Sequence, residues 1–387
     1  MYNFLLFENF HFATHHFYDL VLIARMMQSQ GLSVAIFDVY HEIDRNELEG
    51  VPVIHWQSSR KIPDDQWMLR KHSLFETLIK SISQGIQTHY YFKDVMSFVY
   101  DKAEAFYCGS FHNKITTVLL KTKKPCYYWG LRSDRLNFSI KKLLTSPLIG
   151  IRLLRQRNAF LKNPCQRLFV SNPIIFKEHE QLGVPSNRMV IREERVVEMK
   201  NDANLKAMDE NISFLVIGQL RKEKHIPLTV GAFKHANIKG AKLKLIGRSR
   251  NDYETDITNA IASDERIARI NAYLEYEDFY KYFSQSHFVL FADEQSKSCI
   301  TNGTMMEALI HHRPIICPDY NPYTYYIKKY GVGLLYKAGD TESYANTMRE
   351  ASQLDTAYFQ KAIDAFLETI MFDRVADQFV KDIKKQL

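Results

Sequence analysis

Two short stretches hold the residues best suited to phosphate chemistry: Gly218-Gln219-Leu220-Arg221-Lys222-Glu223-Lys224, and Thr301-Asn302-Gly303-Thr304-Met305-Met306-Glu307-Ala308-Leu309. Each follows an apolar run that reads as a buried strand, Ile212 to Ile217 for the first and His287 to Ala292 for the second. Arg221 and Lys224 would then sit in a loop at a strand's C-terminal end, where open α/β sheets bind ligands. In the second stretch, small turn-prone residues lead into a helix over Met305 to His312, so backbone N–H groups and a helix N-terminus would point at an anion. Gly303 permits close backbone approach. Glu307 adds a carboxylate able to accept from two hydroxyls. It also closes a Thr304-x-x-Glu307 capping box, a competing structural use of the same side chain.

The elements that must position these residues alternate strand and helix, which predicts parallel sheets covered on both faces. In the N-terminal half, strands are expected at Asn3 to Phe7, Ser33 to Phe37, Val51 to His55, Ala105 to Cys108, Pro125 to Trp129 and, last, Arg167 to Ser171. Helices are expected at Tyr18 to Gln30, around 70–84 and 93–103, and from about Asn113 to Thr122. The polar run Glu198 to Asn211 reads as a linker. Beyond it come strand Ile212 to Ile217, helix Leu228 to Ala236, strand Lys242 to Ile246, helix 253–263, strand Ile267 to Ile270, helix Tyr276 to Ser284, strand His287 to Phe291, helix Met305 to His312 and strand Pro314 to Cys317. A turn at Pro318 to Pro322 follows, and Met371 to Leu387 has the pattern of an amphipathic helix.

Composition bounds the class. At 387 residues the chain suits two domains. Its 46% hydrophobic and 25% charged residues are those of a globular protein, with no run apolar enough to span a membrane. The N-terminus lacks a basic n-region and meets Glu8 early, so it reads as a strand and the expected location is cytoplasmic. The five cysteines are scattered, with no Cys-x-x-Cys pair for zinc or redox exchange. The net charge of +7 is matched by residues 132–162 alone, which carry eight bases against Asp134. Those bases alternate with Leu, Ile and Phe, a composition suited to an anionic membrane surface and equally to a solvated helix face. No nucleic-acid-binding motif accompanies the charge.

The order Gly-x-Leu-Arg-x-x-Lys, a strand ending Leu245-Ile246-Gly247, Tyr273-Leu274-x-x-x-Asp278-Phe279, Val289-Leu290-Phe291, Thr301-Asn302-Gly303-Thr304, Glu307-Ala308-Leu309 and Arg313-Pro314-Ile315-Ile316 resembles the nucleotide-sugar domain of family 4 glycosyltransferases, also called glycosyl transferases group 1. The match runs over about residues 165–345, and Ser171-Asn172-Pro173 with Leu182-Gly183-Val184-Pro185 is similar to the family's crossing into its second domain. The resemblance implies the GT-B fold: two Rossmann-like doubly wound α/β domains facing each other across a cleft. Residues 1–195 would form the acceptor domain, 196–370 the donor domain, and 371–387 a helix returning to the first.

It also implies roles. Lys224, with nearby Arg221, would clamp the diphosphate of a UDP- or GDP-sugar donor. Gly218, Gly247, Tyr273, Thr301, Asn302, Gly303 and Thr304 would surround the donor, and Glu307 would hold the ribose. The acceptor would be a saccharide or a lipid-linked sugar, in polysaccharide or glycan synthesis, with a sugar such as a hexose transferred. No tightly bound cofactor or metal is implied, because the clamp is cationic protein. Several departures stand out. Many members carry Arg one residue after the glycine, where this chain has Gln219, and retaining members carry a second Glu eight positions before the first, where this chain has Cys299. The glycine-rich loop after the first strand is replaced by Asn9 to His16, whose His11, His15 and His16 are candidate bases, His15 foremost; His112 is a comparable outsider. Trp129-Gly130 stands where many members place an acceptor-side histidine. A two-domain sugar-nucleotide epimerase, or a donor-binding module without catalysis, shares the same outline.

Overall fold

The structure, a computed structural model, describes residues 1–7, 14–41, 43–58, 60, 74–109, 118–130, 147–192, 195–198, 211–274, 276–295, 302–355 and 357–386. The chain forms two compact units, Met1–Glu193 with Phe372–Leu387, and Glu194–Met371.

In the first unit, β1 (Tyr2–Phe7), α1 (Thr14–Ser29), β2 (Val34–Phe37), β3 (Glu47–Leu48), β4 (Val51–Ile54), α2 (Leu74–Val99), β5 (Ala103–Cys108), β6 (Cys126–Trp129), α3 (Pro147–Lys162), β7 (Gln166–Val170), α4 (Pro173–Gln181) and β8 (Met189–Ile191) follow in order. The sheet runs β3-β4-β2-β1-β5-β6-β7-β8. Only the β3–β4 pair is antiparallel. Phe4 to Phe7 of central β1 are all fully buried, the continuous apolar signature of a strand covered on both faces. Asn172 starts α4: its side chain accepts from the backbone N–H of Ile174 and Ile175, and Pro173 occupies the first helical position.

Two expectations change here. The segments around 70–84 and 93–103 form one 26-residue helix, α2, closed by a 3₁₀ turn at Tyr100–Lys102. Thr88, Tyr91, Phe92, Val95 and Val99 form a buried stripe that spans the expected gap between the two segments, and one glycine inside a helix, Gly85, costs only about 1 kcal/mol. Arg167 to Ser171 is not the last strand, because β8 pairs beyond it, Leu168 to Val170 facing Met189 to Ile191. Three residues are too few to announce a strand by periodicity. Residues 113–117 of the expected helix and 199–210 of the expected linker lie outside the described residues.

In the second unit come β9 (Ser213–Ile217), α5 (Ile226–Ala236), β10 (Lys242–Ile246), α6 (Asn251–Ile261), β11 (Ile267–Ile270), α7 (Tyr276–Ser284), β12 (Phe288–Leu290), α8 (Gly303–Ile310), β13 (Ile315–Pro318), α9 (Tyr323–Tyr330), β14 (Gly333–Tyr336), α10 (Thr341–Gln353) and α11 (Ala357–Thr369). The sheet is parallel throughout, in the order β11-β10-β9-β12-β13-β14. From β9 the chain winds outward to β11, then crosses back to β12, so its switch point lies between β9 and β12. That is where a doubly wound sheet opens a crevice. Elements α9, β14, α10 and α11 fill the stretch between the 318–322 turn and the terminal helix, for which the sequence pattern names nothing.

The last helix, α12 (Phe372–Lys384), belongs to the first unit. Its buried Val375, Ala376, Phe379, Val380 and Ile383 make one apolar stripe. Phe379 packs edge-on against Phe169 of β7 at 4.8 Å, and Arg167 donates to the carbonyl of Gln386. No helix among the described residues is long and apolar enough to cross a membrane.

Candidate active site

The site is built where β9 ends. Gly218 and Gly247 close β9 and β10 with φ of +101° and +130°, conformations that favour glycine. A Cβ on Gly247 would lie 1.9 Å from the carbonyl oxygen of Gly218, so the two turns pack backbone against backbone. Gly218 N donates to Ile246 O at 3.1 Å and Gly247 N to Ile270 O at 2.9 Å, continuing the ladder into the turns.

Lys224 ends the 3₁₀ turn Lys222–Lys224 and folds back toward that edge. Its Nζ donates to Ile217 O at 3.4 Å. A Cβ on Gly218 would lie 3.6 Å from Lys224 Nζ and 3.3 Å from Thr304 Oγ1. Gly218 is therefore the point on which a cation from the first stretch and a hydroxyl from the second converge. Burial holds the Lys224 ammonium below the usual lysine range, neighbouring Arg221 adds to that, and Asp293 opposes it. Such an ammonium is poorly compensated by the protein and gains most from an anion. Arg221 is arranged differently: it is exposed, and its Nε donates to Gln219 Oε1 at 3.0 Å. The glutamine that stands where an arginine is common thus holds the arginine two residues on.

The N-terminus of α8 is fixed by its own network. Asn302 is the cap: Oδ1 accepts from Thr304 N at 2.9 Å, while Nδ2 donates to Asp293 Oδ2 at 3.2 Å and to Tyr323 Oη at 2.8 Å. Tyr323 Oη in turn donates to Asp293 Oδ2 at 2.6 Å. The helix thus begins at Gly303, two residues before the expected start, and the Thr304/Glu307 capping box does not form. Asp293 is committed to this network, and Glu294 is exposed, its N–H donating to Glu223 O at 2.6 Å.

Freed from capping, Glu307 faces Arg195, with Nη2 3.7 Å from Oε1. Burial raises the Glu307 carboxyl above the usual range, and Arg195 partly opposes that. Among the described residues, no group of three or more His, Cys, Asp or Glu is placed to hold a metal ion.

Beside the two glycine turns is a cleft of about 370 Å³, lined by Gly218, Gln219, Gly247, Arg248, Ala272, Tyr273 and Leu274. That is the size range of a small-molecule site. Tyr273 is 75% exposed, an aromatic face left open beside it. The wall is braced from behind. Arg269 donates to the carbonyls of Leu245, Gly247 and Ile270 and pairs with Glu254 through two hydrogen bonds of 3.0 and 2.7 Å, and Ser249 also donates to Glu254. Sequence reasoning passes over Arg195, Arg248, Glu254, Arg269 and Tyr323. For Arg269 a signal exists, a base inside the strand Ile267 to Ile270, but its partner is 15 residues away on a helix.

The structure brings Gly218, Gly247, Lys224 and Thr304 together, sets Asn302, Gly303 and Glu307 on the adjoining helix, and places Tyr273 on the cleft. Arg221 stands aside. Thr301 and Cys299 lie outside the described residues, as do His11 and His112. His15 and His16 fall in the first turn of α1, and their side chains are not described. In the first unit, Trp129 ends β6 beneath the Arg192 guanidinium, 4.2 Å from the ring centre. Gly130 N donates to Phe169 O at 2.7 Å.

Residues 198–362 match the family model described as glycosyl transferases group 1. Solved structures similar over nearly the whole chain include the lipopolysaccharide outer core galactosyltransferase WaaB (13% identity, TM-score 0.66, 99% of each chain) and sucrose-phosphate synthase of Thermosynechococcus elongatus (14%, 0.66, 99% of this chain and 98% of that one). Another is HepE of Anabaena in complex with UDP (11%, 0.65, 99% and 100%). A comparison with curated protein sequences gives no match. The chain has the GT-B fold, as the motif order predicts.

Proposed function

We propose, from the GT-B fold and the group 1 match as premise, that this chain transfers a sugar from a nucleoside-diphosphate donor, of the UDP or GDP type, to a saccharide or lipid-linked acceptor. The observation that carries the reading is the convergence of Lys224 Nζ and the Thr304 hydroxyl on Gly218, beside an α8 N-terminus that bears Glu307. Such a transfer breaks the bond between the sugar's anomeric carbon and the distal phosphate oxygen, leaving negative charge on the diphosphate. Lys224 and the positive end of the α8 dipole, with Asn302, Gly303 and Thr304 around them, stabilise that charge. Arg221 is a neighbour that can leave Gln219 for the phosphate. Glu307 accepts from the ribose hydroxyls, and the base lies in the cleft against Tyr273. UDP in the HepE complex supports a uridine donor.

The acceptor hydroxyl forms the new bond to the anomeric carbon and gives its proton to a base, for which His15, at the start of α1, is the candidate. Polysaccharide or glycan synthesis on the cytoplasmic side fits such an acceptor. Residues 131–146 of the basic segment lie outside the described residues. In α3, Arg155 and Lys162 are exposed and suited to an anionic membrane surface, whereas Arg157 donates to Leu182 O at 3.1 Å.

The test is thermal unfolding of the purified chain with UDP, GDP, ADP, CMP and dTDP. UDP or GDP should raise the midpoint by several degrees at saturating ligand, and no shift with any of the five removes the donor site. With the matching nucleotide sugar, slow release of nucleotide supports transfer. A changed sugar without release points to an epimerase instead.

A further inference from the structure

Arg195 opens the second unit and lies along one face of α8. Its Nη2 is 3.7 Å from Glu307 Oε1 and would lie 3.9 Å from a Cβ on Gly303. Gly303 and Glu307 are four residues apart, so they stack on the same helix face, and the guanidinium spans them. At 3.7 Å the contact is an ion pair too long for a hydrogen bond. Arg195 is half exposed, while the Glu307 side chain is only 15% exposed. The cation thus covers, from the solvent side, a carboxylate that is itself largely buried.

The donor reading above, on which this inference rests, puts the diphosphate at the Gly303 end of that face and the ribose at Glu307. A nucleotide cannot occupy the face without meeting Arg195. We propose that Arg195 is a further cation of the donor site, which exchanges the Glu307 carboxylate for the diphosphate when the nucleotide enters. The exchange suits both partners. A guanidinium presents a planar fork that matches phosphate oxygens in pairs, and Glu307 trades a loose ion pair for two ribose hydroxyls. Lys224 lies beside Gly218 and Arg195 beside Gly303, so two cations stand near the α8 N-terminus to meet the phosphates.

The experiment is calorimetric titration of UDP, GDP and their nucleosides into the wild type, Arg195→Ala, Arg195→Lys and both Arg195 forms in a Glu307→Gln background. Arg195→Ala should weaken the bound diphosphate roughly 10-fold and its nucleoside less than about 2-fold, with Arg195→Lys recovering part of the loss. The diphosphate loss should persist in Glu307→Gln, where the ion pair no longer exists. Equal change for diphosphate and nucleoside, or a loss that vanishes in Glu307→Gln, reduces Arg195 to a partner of Glu307 and overturns the proposal. A wild type that binds neither UDP nor GDP overturns the donor site and this inference with it. A wild type that binds while Arg195→Ala binds equally well overturns this inference alone.

Discussion

The two units share an architecture and differ in what they place on it. Each is built on a parallel sheet, the first with one antiparallel edge pair, and each has a switch point, between β1 and β5 in the first and between β9 and β12 in the second. In the second, the strand ends carry two glycine turns that leave room for a ligand, and beside them a lysine and a helix N-terminus, both sources of positive potential. Among the described residues of the first, the strand ends carry bulky and doubly signed groups. Trp129 lies under Arg192. Asp38, buried at the end of β2, accepts from Ile43 N at 3.1 Å and faces His55 Nδ1 at 3.5 Å. Topology selects the place where a ligand can bind, and the residues planted there select its chemistry.

The contrast breaks most sharply at the glycines. Gly247→Ala drives a Cβ into the Gly218 carbonyl from a φ of +130° and should cost about 3–5 kcal/mol in urea unfolding. Gly50→Ala in the first unit also has positive φ, at +80°, but nothing within 4 Å, so it should cost only about 1–2 kcal/mol. Equal costs would mean that the two turns are not packed backbone to backbone.

Lys224→Met keeps the bulk and removes the charge. Affinity for UDP or GDP should fall roughly 100-fold, as expected for a hydrogen bond to a charged group, and affinity for the nucleoside less than about 3-fold. His55→Ala in the first unit should leave both unchanged. Parallel loss of diphosphate and nucleoside would remove Lys224 from the phosphates.

Glu307 gives a pH signature. Burial raises the Glu307 carboxyl above the usual glutamate range in the folded state, so as pH falls it takes up a proton earlier than an exposed glutamate and can no longer accept through both oxygens from ribose. Nucleoside affinity, free of phosphate titration, should fall several-fold below that raised pKa. Glu307→Gln should be about 10-fold weaker at pH 7 and flat with pH. The stability effect has the opposite sense. A raised folded pKa favours the fold below the unfolded value, and that contribution is lost as pH rises through the folded one, so Glu307→Gln should be no less stable than the wild type at pH 7. A pH-independent wild type would return Glu307 to a structural role.

The smallest effect belongs to α3. Replacing either Arg155 or Lys162 with Ala should weaken binding to anionic vesicles about 5-fold at physiological salt, at about 1 kcal/mol per base near the surface. Absence of vesicle binding by the wild type would make α3 an ordinary solvated helix.

Strand runs such as Phe4 to Phe7 and Phe214 to Ile217 are legible because burial on both faces leaves a continuous apolar word in the sequence. The start of α8 is misread because the capping signal is ambiguous: Asn302 and Thr304 both suit an N-cap, and the choice is made by Asp293 and Tyr323, 9 and 21 residues from Asn302. β8 escapes notice because it is short, and α2 is read as two helices because the burial of Thr88, Tyr91 and Phe92 that joins them is a property of packing.

The sequence alone carried the α/β alternation and the order of motifs that resembles group 1 glycosyltransferases, because apolar period, turn chemistry and motif order are local properties of the chain. Only the tertiary structure decided which charges matter. It released Glu307 from its cap and set Arg195 against it, tied Arg221 to Gln219, and pressed Gly247 onto Gly218. Each of these depends on atoms brought together by the fold, and charge, burial and close contact are properties of neighbours in space.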